Sequence, residues 1–169
     1  PPGGISVSFV PESVPLGTAG IIKKASKILP NEPFLVLHAD IVTTMNLDDF
    51  VAFHDHERTT ATIAVKPRIA EHHYGKVLLT GNRITDYVED KGDRGIGIVN
   101  TGVYVFDPGI YTYIPDSPAS SLERDVFPKL ASIGQLSAFI FQGMWYDVTK
   151  YKSHARALRR WQSEHTRRR

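Results

Sequence analysis

Two aspartates in this sequence have the setting that metal-dependent nucleotide chemistry needs. Asp40 closes an apolar, β-forming run over residues 34–39, and Asp147 follows the aromatic pair Trp145-Tyr146. A strand that ends in an acid puts a carboxylate at the carboxyl edge of a sheet, where open α/β folds bind their ligands. Two such carboxylates on neighbouring strands could hold one Mg²⁺ against a polyphosphate. The pair therefore indicates nucleotide chemistry.

A glycine-containing turn precedes the strand that carries Asp40. Residues 15–20 read Pro-Leu-Gly-Thr-Ala-Gly. Because the turn opens a helix, it leaves backbone N–H groups free to meet a phosphate or a base. A plain strand-to-helix turn would use the same glycines, so the motif alone leaves both interpretations open. Apolar residues and lysines fall on opposite sides of an amphipathic helix predicted over residues 17–29.

Local patterns predict the elements that must position these residues. Alternation of apolar and polar residues predicts a strand at 5–10. Asn46 is placed to cap a short helix at 47–56, and Gly81-Asn82 suits a two-residue hairpin loop. The segment 120–123, Ser-Ser-Leu-Glu, is typical of a capping box before a helix that Pro128 kinks or ends. The other predicted elements are strands at 34–40, 60–65, 76–79, 83–88, 98–106 and 135–141 and a final helix at 150–163.

The order of these elements predicts the fold class. Helices and strands alternate at first, hairpins follow, and a last helix–strand–helix run completes the chain. This order predicts an α/β fold with a mixed sheet and helices on both faces. A length of 169 residues fits one domain, residues 1–169, in which residues 150–169 form a C-terminal helix and basic tail.

Composition narrows the classes of partner. The chain has no cysteine, which excludes disulfides and thiolate metal sites and favours the cytoplasm. No apolar run has the length of a membrane span, so no membrane partner is expected. The net charge of +2 is too small to indicate nucleic acid. Six arginines crowd the last fourteen residues, but no aromatic residues are interleaved with them, so a solvated helix end is the favoured interpretation.

The histidine-rich stretch around residues 54–56 invites a metal interpretation. His54 and His56 are two residues apart, and residues at that spacing do not share a face of a helix. The pair cannot grip one ion unaided. We therefore expect His54 to face the core and its neighbours to be exposed.

Other short motifs have a structural explanation beside a functional one. Tyr74-Gly75 and Asn100-Thr101-Gly102 could be turns or bulges, since glycine inside a strand marks close backbone approach. Close approach to a sugar would need the same glycines. Glu89 and Lys91 could be a surface ion pair that adds little stability.

Taken together and in order, these motifs resemble the sugar-1-phosphate nucleotidyltransferases, which make nucleotide-sugars. The amino-acid sequences of these motifs are most similar to those of the mannose-1-phosphate guanylyltransferase branch. The resemblance runs over nearly the whole chain, from residue 5 to about residue 158. The matching segments are residues 15–20, the strand closing on Asp40, Tyr74-Gly75, Glu89, and residues 99–106, 122–128 and 143–148.

The resemblance implies a fold and a reaction. The fold is a three-layer, Rossmann-like nucleotidyltransferase fold with a mixed, mostly parallel sheet, truncated at its N-terminus. In the reaction, a phosphate oxygen of the sugar-1-phosphate attacks the α-phosphorus of a nucleoside triphosphate and expels pyrophosphate. GTP is the favoured nucleotide, with mannose- or glucose-1-phosphate as acceptor. A homo- or hetero-oligomer is expected.

The resemblance also implies roles for individual residues. Asp40 and Asp147 are the catalytic acids and hold Mg²⁺. The substrate-binding residues include Pro15 and Gly17 beside the base and Lys91 beside the sugar phosphate. The others are Thr18, Tyr74, Gly75, Glu89, Asn100 and Gly102, of which Gly75, Glu89, Asn100 and Gly102 contact the sugar.

Three departures from the family pattern keep a second interpretation open. No glycine-rich loop with an Arg and a Lys precedes residue 5. Lys91 lies one residue out of register with the family's lysine, and Thr149-Lys150 shortens the turn behind Asp147. A catalytically inactive nucleotide-sugar-binding or assembly subunit of the same fold is therefore the alternative.

Overall fold

The computed structural model describes residue 4 and residues 6–69, 75–88, 96–117 and 119–149. The predicted helix at 150–163 lies outside these residues. A 3₁₀-helix covers Pro108–Tyr113, and a π-helical turn covers Leu122–Val126. The α-helices are α1 (Gly17–Ala25), α2 (Leu47–Glu57) and α3 (Phe127–Ser132). The strands are β1 (Phe34–Leu37), β2 (Ile41–Thr43), β3 (Ala61–Ile69), β4 (Lys76–Thr80), β5 (Arg83–Val88), β6 (Ile96–Phe106), β7 (Leu136–Ile140) and β8 (Trp145–Asp147).

Six strands form one mixed sheet, as the sequence predicts. Its order is β1-β6-β3-β7-β5-β4, and β2 and β8 form a separate pair. The expectation of a mostly parallel sheet is wrong for the described strands, because β3 and β7 are the one parallel pair among them. β1, β3 and β7 do run in the same direction. However, β6 runs back between β1 and β3 and is antiparallel to both.

The sheet carries a hydrophobic core on each face. One core joins α1, the π-helical turn and α3 to one side of the sheet, with Phe127, Tyr104 and Phe106 near its centre. The other joins α2 to the opposite side through Phe50 and Phe139. Helices therefore cover both faces, and the predicted three-layer arrangement is confirmed.

Elements with strong local signals form as predicted. The Asn46 side chain accepts hydrogen bonds from the N–H groups of Asp48 and Asp49 and caps α2. β4 and β5 form a hairpin around Gly81-Asn82. No helix within the described ranges has the length and apolar character required to cross a membrane.

Three predicted boundaries are wrong. The described part of the 5–10 segment is irregular, with Val7 and Phe9 exposed, because no described strand pairs with it and a lone strand is not stable. α1 ends at Ala25, where a tight turn returns the N–H groups of Ile28 and Leu29 to the Ala25 carbonyl. β1 ends at Leu37 rather than at residue 40.

Candidate functional site

The structure brings the two predicted acids together. Asp40 lies in the turn between β1 and β2, and Asp147 ends β8. In the β2–β8 pair, Ile41 is directly opposite Asp147. The backbone N–H of Val148 donates to the Asp40 carbonyl at 2.8 Å. The backbones of Asp40 and Asp147 are thus adjacent at the end of an antiparallel pair, and their shared role in holding a metal stays a prediction.

The two carboxylates differ in how they are held. Asp40 is half-buried, and its carboxylate has no hydrogen bond or ion pair with any residue that the structure describes. The Asp147 carboxylate accepts hydrogen bonds from the N–H of Thr149, at 3.0 Å, and from the Thr149 hydroxyl. Thr149, one of the departures from the family pattern, therefore orients Asp147.

This donor set fits Mg²⁺. The part of the chain that the structure describes has no cluster of three or more metal-binding side chains. Mg²⁺ does not need one, because it commonly binds one or two carboxylates and completes its shell with water and substrate phosphates. An unpaired Asp40 carboxylate and an oriented Asp147 carboxylate on adjacent backbones would fit that mode of binding.

A β-bulge at residues 100–102 supports both acids. The register between β3 and β6 shifts between Ile63 and Val65, and Gly102 has φ of +75°. His38, at the end of β1, donates its N–H to the Gly102 carbonyl at 3.0 Å. The Trp145 indole N–H donates to the Thr101 carbonyl at 2.8 Å. The bulge therefore anchors the segment that leads to Asp40 and the strand that carries Asp147.

Asn100 holds two tyrosines beside this bulge. Its side-chain NH₂ donates to the hydroxyls of Tyr87 and Tyr104, each at 3.0 Å, and its side-chain carbonyl accepts from the N–H of Gly102 at 2.9 Å. Burial raises the pKa of Tyr104 well above its usual value, and the nearby negative charge of Glu123 raises it further. Both amide hydrogens of Asn100 are engaged within the protein, so the side chain organises the site from beneath.

Gly75 belongs to the same cluster. Its carbonyl accepts the Asn100 N–H at 2.9 Å, and a Cβ at this position would overlap the Tyr87 hydroxyl. The predicted residues Gly75, Asn100 and Gly102 therefore lie together, linked by the hydrogen bonds of Asn100. Tyr74, Glu89 and Lys91 lie outside the described residues.

The glycine turn differs from its prediction in one respect. Its N–H groups at Ala19 and Gly20 are not free, because both donate to the Ser120 carbonyl, at 3.0 and 3.4 Å. Gly17 has φ of +74°, and a Cβ there would collide with the same carbonyl. The segment that begins at Ser120 crosses over the start of α1 and occupies the space that was predicted to be open. Pro15 is exposed at the beginning of the turn.

The capping box also differs from its prediction. The spacing of the box would make Ser120 the cap and Glu123 its partner. Instead Ser121 is the cap, and Asp125 returns a carboxylate oxygen to the Ser121 N–H at 2.7 Å. The π-helical turn adds a residue to the first turn and moves the returning acid from the third position to the fourth.

This change leaves Glu123 available for a contact that sequence reasoning missed. One of its carboxylate oxygens accepts hydrogen bonds from the hydroxyls of Thr18 and Ser121, each at 2.8 Å. The predicted site residue Thr18 is therefore bound to a segment more than one hundred residues away along the chain. The one available signal was the presence of both residues within the family motifs.

Comparison with known proteins identifies the family to which this fold and site belong. The family model described as nucleotidyl transferase matches residues 2–164. The chain therefore belongs to the nucleotidyl transferase family. This match covers the glycine turn, the β-bulge and both acids.

Individual relatives agree with this family. The chain is 35% identical over 153 residues to mannose-1-phosphate guanyltransferase beta-B of Xenopus laevis, a match that covers 88% of the chain and 42% of that relative. The chain thus spans less than half of the relative's length. Among solved structures, HddC from Yersinia pseudotuberculosis complexed with GMP-PN has a TM-score of 0.76 at 25% identity, covering 90% of this chain and 66% of that one. UDP-glucose pyrophosphorylase complexed with UDP-glucose shares the fold, with a TM-score of 0.76 at 18% identity, over 93% of this chain and 66% of that one.

Proposed function

We propose that this chain carries the site of a sugar-1-phosphate nucleotidyltransferase. The enzyme joins a nucleoside triphosphate, with GTP favoured, to mannose- or glucose-1-phosphate and releases pyrophosphate. The observation that carries the proposal is the backbone adjacency of Asp40 and Asp147 at the end of the β2–β8 pair. The names of the relatives, a guanyltransferase for mannose-1-phosphate and a pyrophosphorylase that binds UDP-glucose, support the substrate class.

The reaction needs positioning and charge neutralisation more than covalent help. A phosphate oxygen of the sugar-1-phosphate forms a bond to the α-phosphorus, and the bond from that phosphorus to the bridging oxygen breaks as pyrophosphate leaves. Asp40 and Asp147 would hold Mg²⁺, which would supply charge neutralisation at the phosphates. Thr149 orients the Asp147 carboxylate, and the β-bulge fixes the spacing of the two acids.

The remaining proposed contacts lie on either side of the acids. Pro15, Gly17 and Thr18 form the nucleotide side, and the N–H groups of Gly17 and Thr18 have no partner in the part of the chain that the structure describes. Gly75, Asn100 and Gly102 form the sugar side, where the missing Cβ atoms leave room for the Tyr87 hydroxyl and the His38 ring, so a sugar would meet the backbone of these glycines. Tyr74, Glu89 and Lys91 complete the proposed set.

The experiment that tests this function is Mg²⁺-dependent pyrophosphate release from the purified chain. GTP, UTP and dTTP are each paired with mannose-, glucose- and N-acetylglucosamine-1-phosphate. We expect release with one pairing, and we expect Asp40→Asn to lower it at least about a hundredfold, as loss of a group that stabilises transition-state charge does. Asp116→Asn, which removes an exposed acid paired with Lys23 in α1, is the matched control and should retain activity.

One observation favours the alternative, a nucleotide-sugar-binding or assembly subunit. The two lysines of α1 that lie nearest the glycine turn are already engaged. Lys23 donates to the Ile114 carbonyl and the Asp116 carboxylate, and Lys24 donates to the Pro11 carbonyl. Neither is positioned to grip a triphosphate. Binding of GDP-mannose by folded protein that releases no pyrophosphate would support this alternative.

A further inference from the structure

We propose that Glu123 is a positioning residue that fixes the glycine turn through Thr18. The proposal rests on the function proposed above, which places that turn beside the nucleotide. Glu123 does not belong to the turn or to the acid pair. It lies in the π-helical turn Leu122–Val126, on the other side of the contact.

The contact is a closed set of hydrogen bonds between two distant segments. The Thr18 hydroxyl donates to the Glu123 carboxylate at 2.8 Å and accepts the N–H of Leu122 at 2.9 Å. The Ser121 hydroxyl donates to the same carboxylate oxygen at 2.8 Å. Thr18 thus has both its donor and its acceptor function engaged by residues 122 and 123. Its hydroxyl hydrogen is therefore not available to a substrate.

The charge of Glu123 makes this contact strong. The carboxylate is half-buried, and no lysine, arginine or histidine among the described residues forms an ion pair with it. Two hydroxyl donors therefore carry its stabilisation. Hydrogen bonds to an ionised acceptor are about twice as strong as those between neutral groups. Moreover, Leu16 at the N-cap of α1 offers no side-chain cap, so Thr18 supplies the side-chain anchor of the first turn of that helix.

The backbone beside this contact transmits the effect to the turn. Ala19 and Gly20 donate to the Ser120 carbonyl, and Ser120 donates its N–H to the Leu16 carbonyl at 2.9 Å. Gly17 lets the two backbones approach this closely. When the Glu123 carboxylate is removed, the backbone bonds at Ser120 lose the side-chain anchor next to them. The turn should then open more often and present its N–H groups less accurately.

The first test is amide hydrogen exchange at Ala19 and Gly20 in the ligand-free chain. Glu123→Ala should speed exchange at these two amides about tenfold, the effect of losing a charged hydrogen bond of modest net strength. Glu123→Gln keeps an oxygen that can accept from Thr18 but loses the charge, so its exchange rates should fall between those of the original chain and those of Glu123→Ala. Asp125→Ala is the matched control. It removes the bond to the Ser121 N–H, which belongs to the same peptide group as the Ser120 carbonyl, without touching Thr18, and it should change exchange at both amides less than Glu123→Ala does.

The second test compares binding of GTP, with Mg²⁺, and binding of mannose-1-phosphate by titration calorimetry. Glu123→Ala should raise the Kd of GTP about tenfold and leave the Kd of mannose-1-phosphate within about twofold. Glu123→Gln should bring the Kd of GTP part of the way back. This split distinguishes positioning of the nucleotide turn from a general loss of structure, which would weaken both ligands.

Two results would overturn the proposal. One is unchanged exchange at Ala19 and Gly20 in Glu123→Ala. The other is an equal effect of Asp125→Ala, which would show that the whole π-helical turn acts and not this carboxylate. If the wild-type chain binds neither GTP nor mannose-1-phosphate, the proposed function fails for this chain. The exchange rates at Ala19 and Gly20 still decide whether Glu123 holds the turn.

Discussion

Gly17 has the most restrictive backbone position in the glycine turn that we propose lies beside the nucleotide. It combines a positive φ with a backbone carbonyl, that of Ser120, where a Cβ would stand. We expect Gly17→Ala to lower the free energy of unfolding by about 3 kcal/mol, of which about 1–2 comes from the left-handed conformation. It should also weaken GTP binding. Urea unfolding and calorimetry measure the two effects.

Gly134→Ala is the control that separates these two causes. Gly134 has φ of +69°, but nothing lies within 4 Å of its Cβ position. It should therefore show the conformational cost alone, about 1–2 kcal/mol, with no change in ligand binding. Equal losses at both positions would mean that the contact with Ser120 has no energetic role.

His54 predicts a dependence of stability on pH. It is buried as predicted, and its Nδ1 lies 2.7 Å from the Thr62 hydroxyl. The Thr62 hydroxyl is in turn hydrogen-bonded to the Ser137 hydroxyl. Burial lowers the pKa of His54 below 6.5, against the opposing charges of Asp55 and Asp107. The unfolded chain therefore takes up a proton near pH 6.5 while the folded chain does not. The contribution to stability is complete above that pH and is lost as the pH falls towards the lower, folded pKa.

Urea unfolding at neutral and mildly acidic pH tests this dependence. Replacing His54 by Gln should remove the part of the pH slope that begins near pH 6.5, although it also lowers stability overall. His56→Gln, at an exposed position of the same helix, should leave the slope in place. A slope that survives in the first variant and disappears in the second would contradict the assignment.

The bulge in β6 anchors the two segments that carry Asp40 and Asp147. In Gly102→Ala, the new Cβ would lie 2.9 Å from the His38 Nδ1, at a φ of +75°. We expect a loss of about 2 kcal/mol in unfolding free energy, of which the conformation supplies about 1–2. Pyrophosphate release should also fall, because the displaced His38 leads directly to Asp40. Gly97→Ala is the control in the same strand, since its Cβ would make ordinary contacts with the Lys76 side chain.

Elements were predictable where their signals are local. Asn46 predicts the start of α2, and Gly81-Asn82 predicts the β4–β5 hairpin, because each motif determines the conformation of the backbone next to it. The position of β6, antiparallel between β1 and β3, could not be predicted from the sequence, because strand order depends on pairing between distant segments. The irregular 6–10 segment is the converse case. It has the alternation of a strand but no described partner.

The candidate site divides in the same way. The sequence predicted that Asp40 and Asp147 lie on neighbouring strands, and the β2–β8 pair brings their backbones close, with Asp147 opposite Ile41. The contact between Thr18 and Glu123 was not predicted, because a π-helical turn shifts the cap by one residue and frees Glu123. No local pattern in the sequence announces that shift.

At the scale of the whole molecule, the edge of the sheet at β1 is the feature with the largest consequence. Among the described strands β1 has one neighbour, β6, so its other edge offers unpaired backbone groups. Leu35 and Leu37 on this strand are exposed, as is Phe9 in the preceding segment. An edge with apolar side chains is a template for pairing with another chain. This observation supports the expectation of an oligomer, which we retain as a proposal.

The open edge predicts that the chain associates with itself and that a charge on β1 weakens the association. Leu37→Lys should raise the dissociation constant about tenfold, equivalent to about 1.4 kcal/mol, because an edge lysine opposes strand pairing. Ile133→Lys is the matched control, since Ile133 is comparably exposed but follows α3 and lies outside the sheet. Sedimentation velocity over a wide range of protein concentration measures both. If the unchanged chain sediments as a monomer throughout, the β1 edge does not drive assembly. If both lysine variants weaken association equally, exposed apolar area rather than strand pairing is responsible.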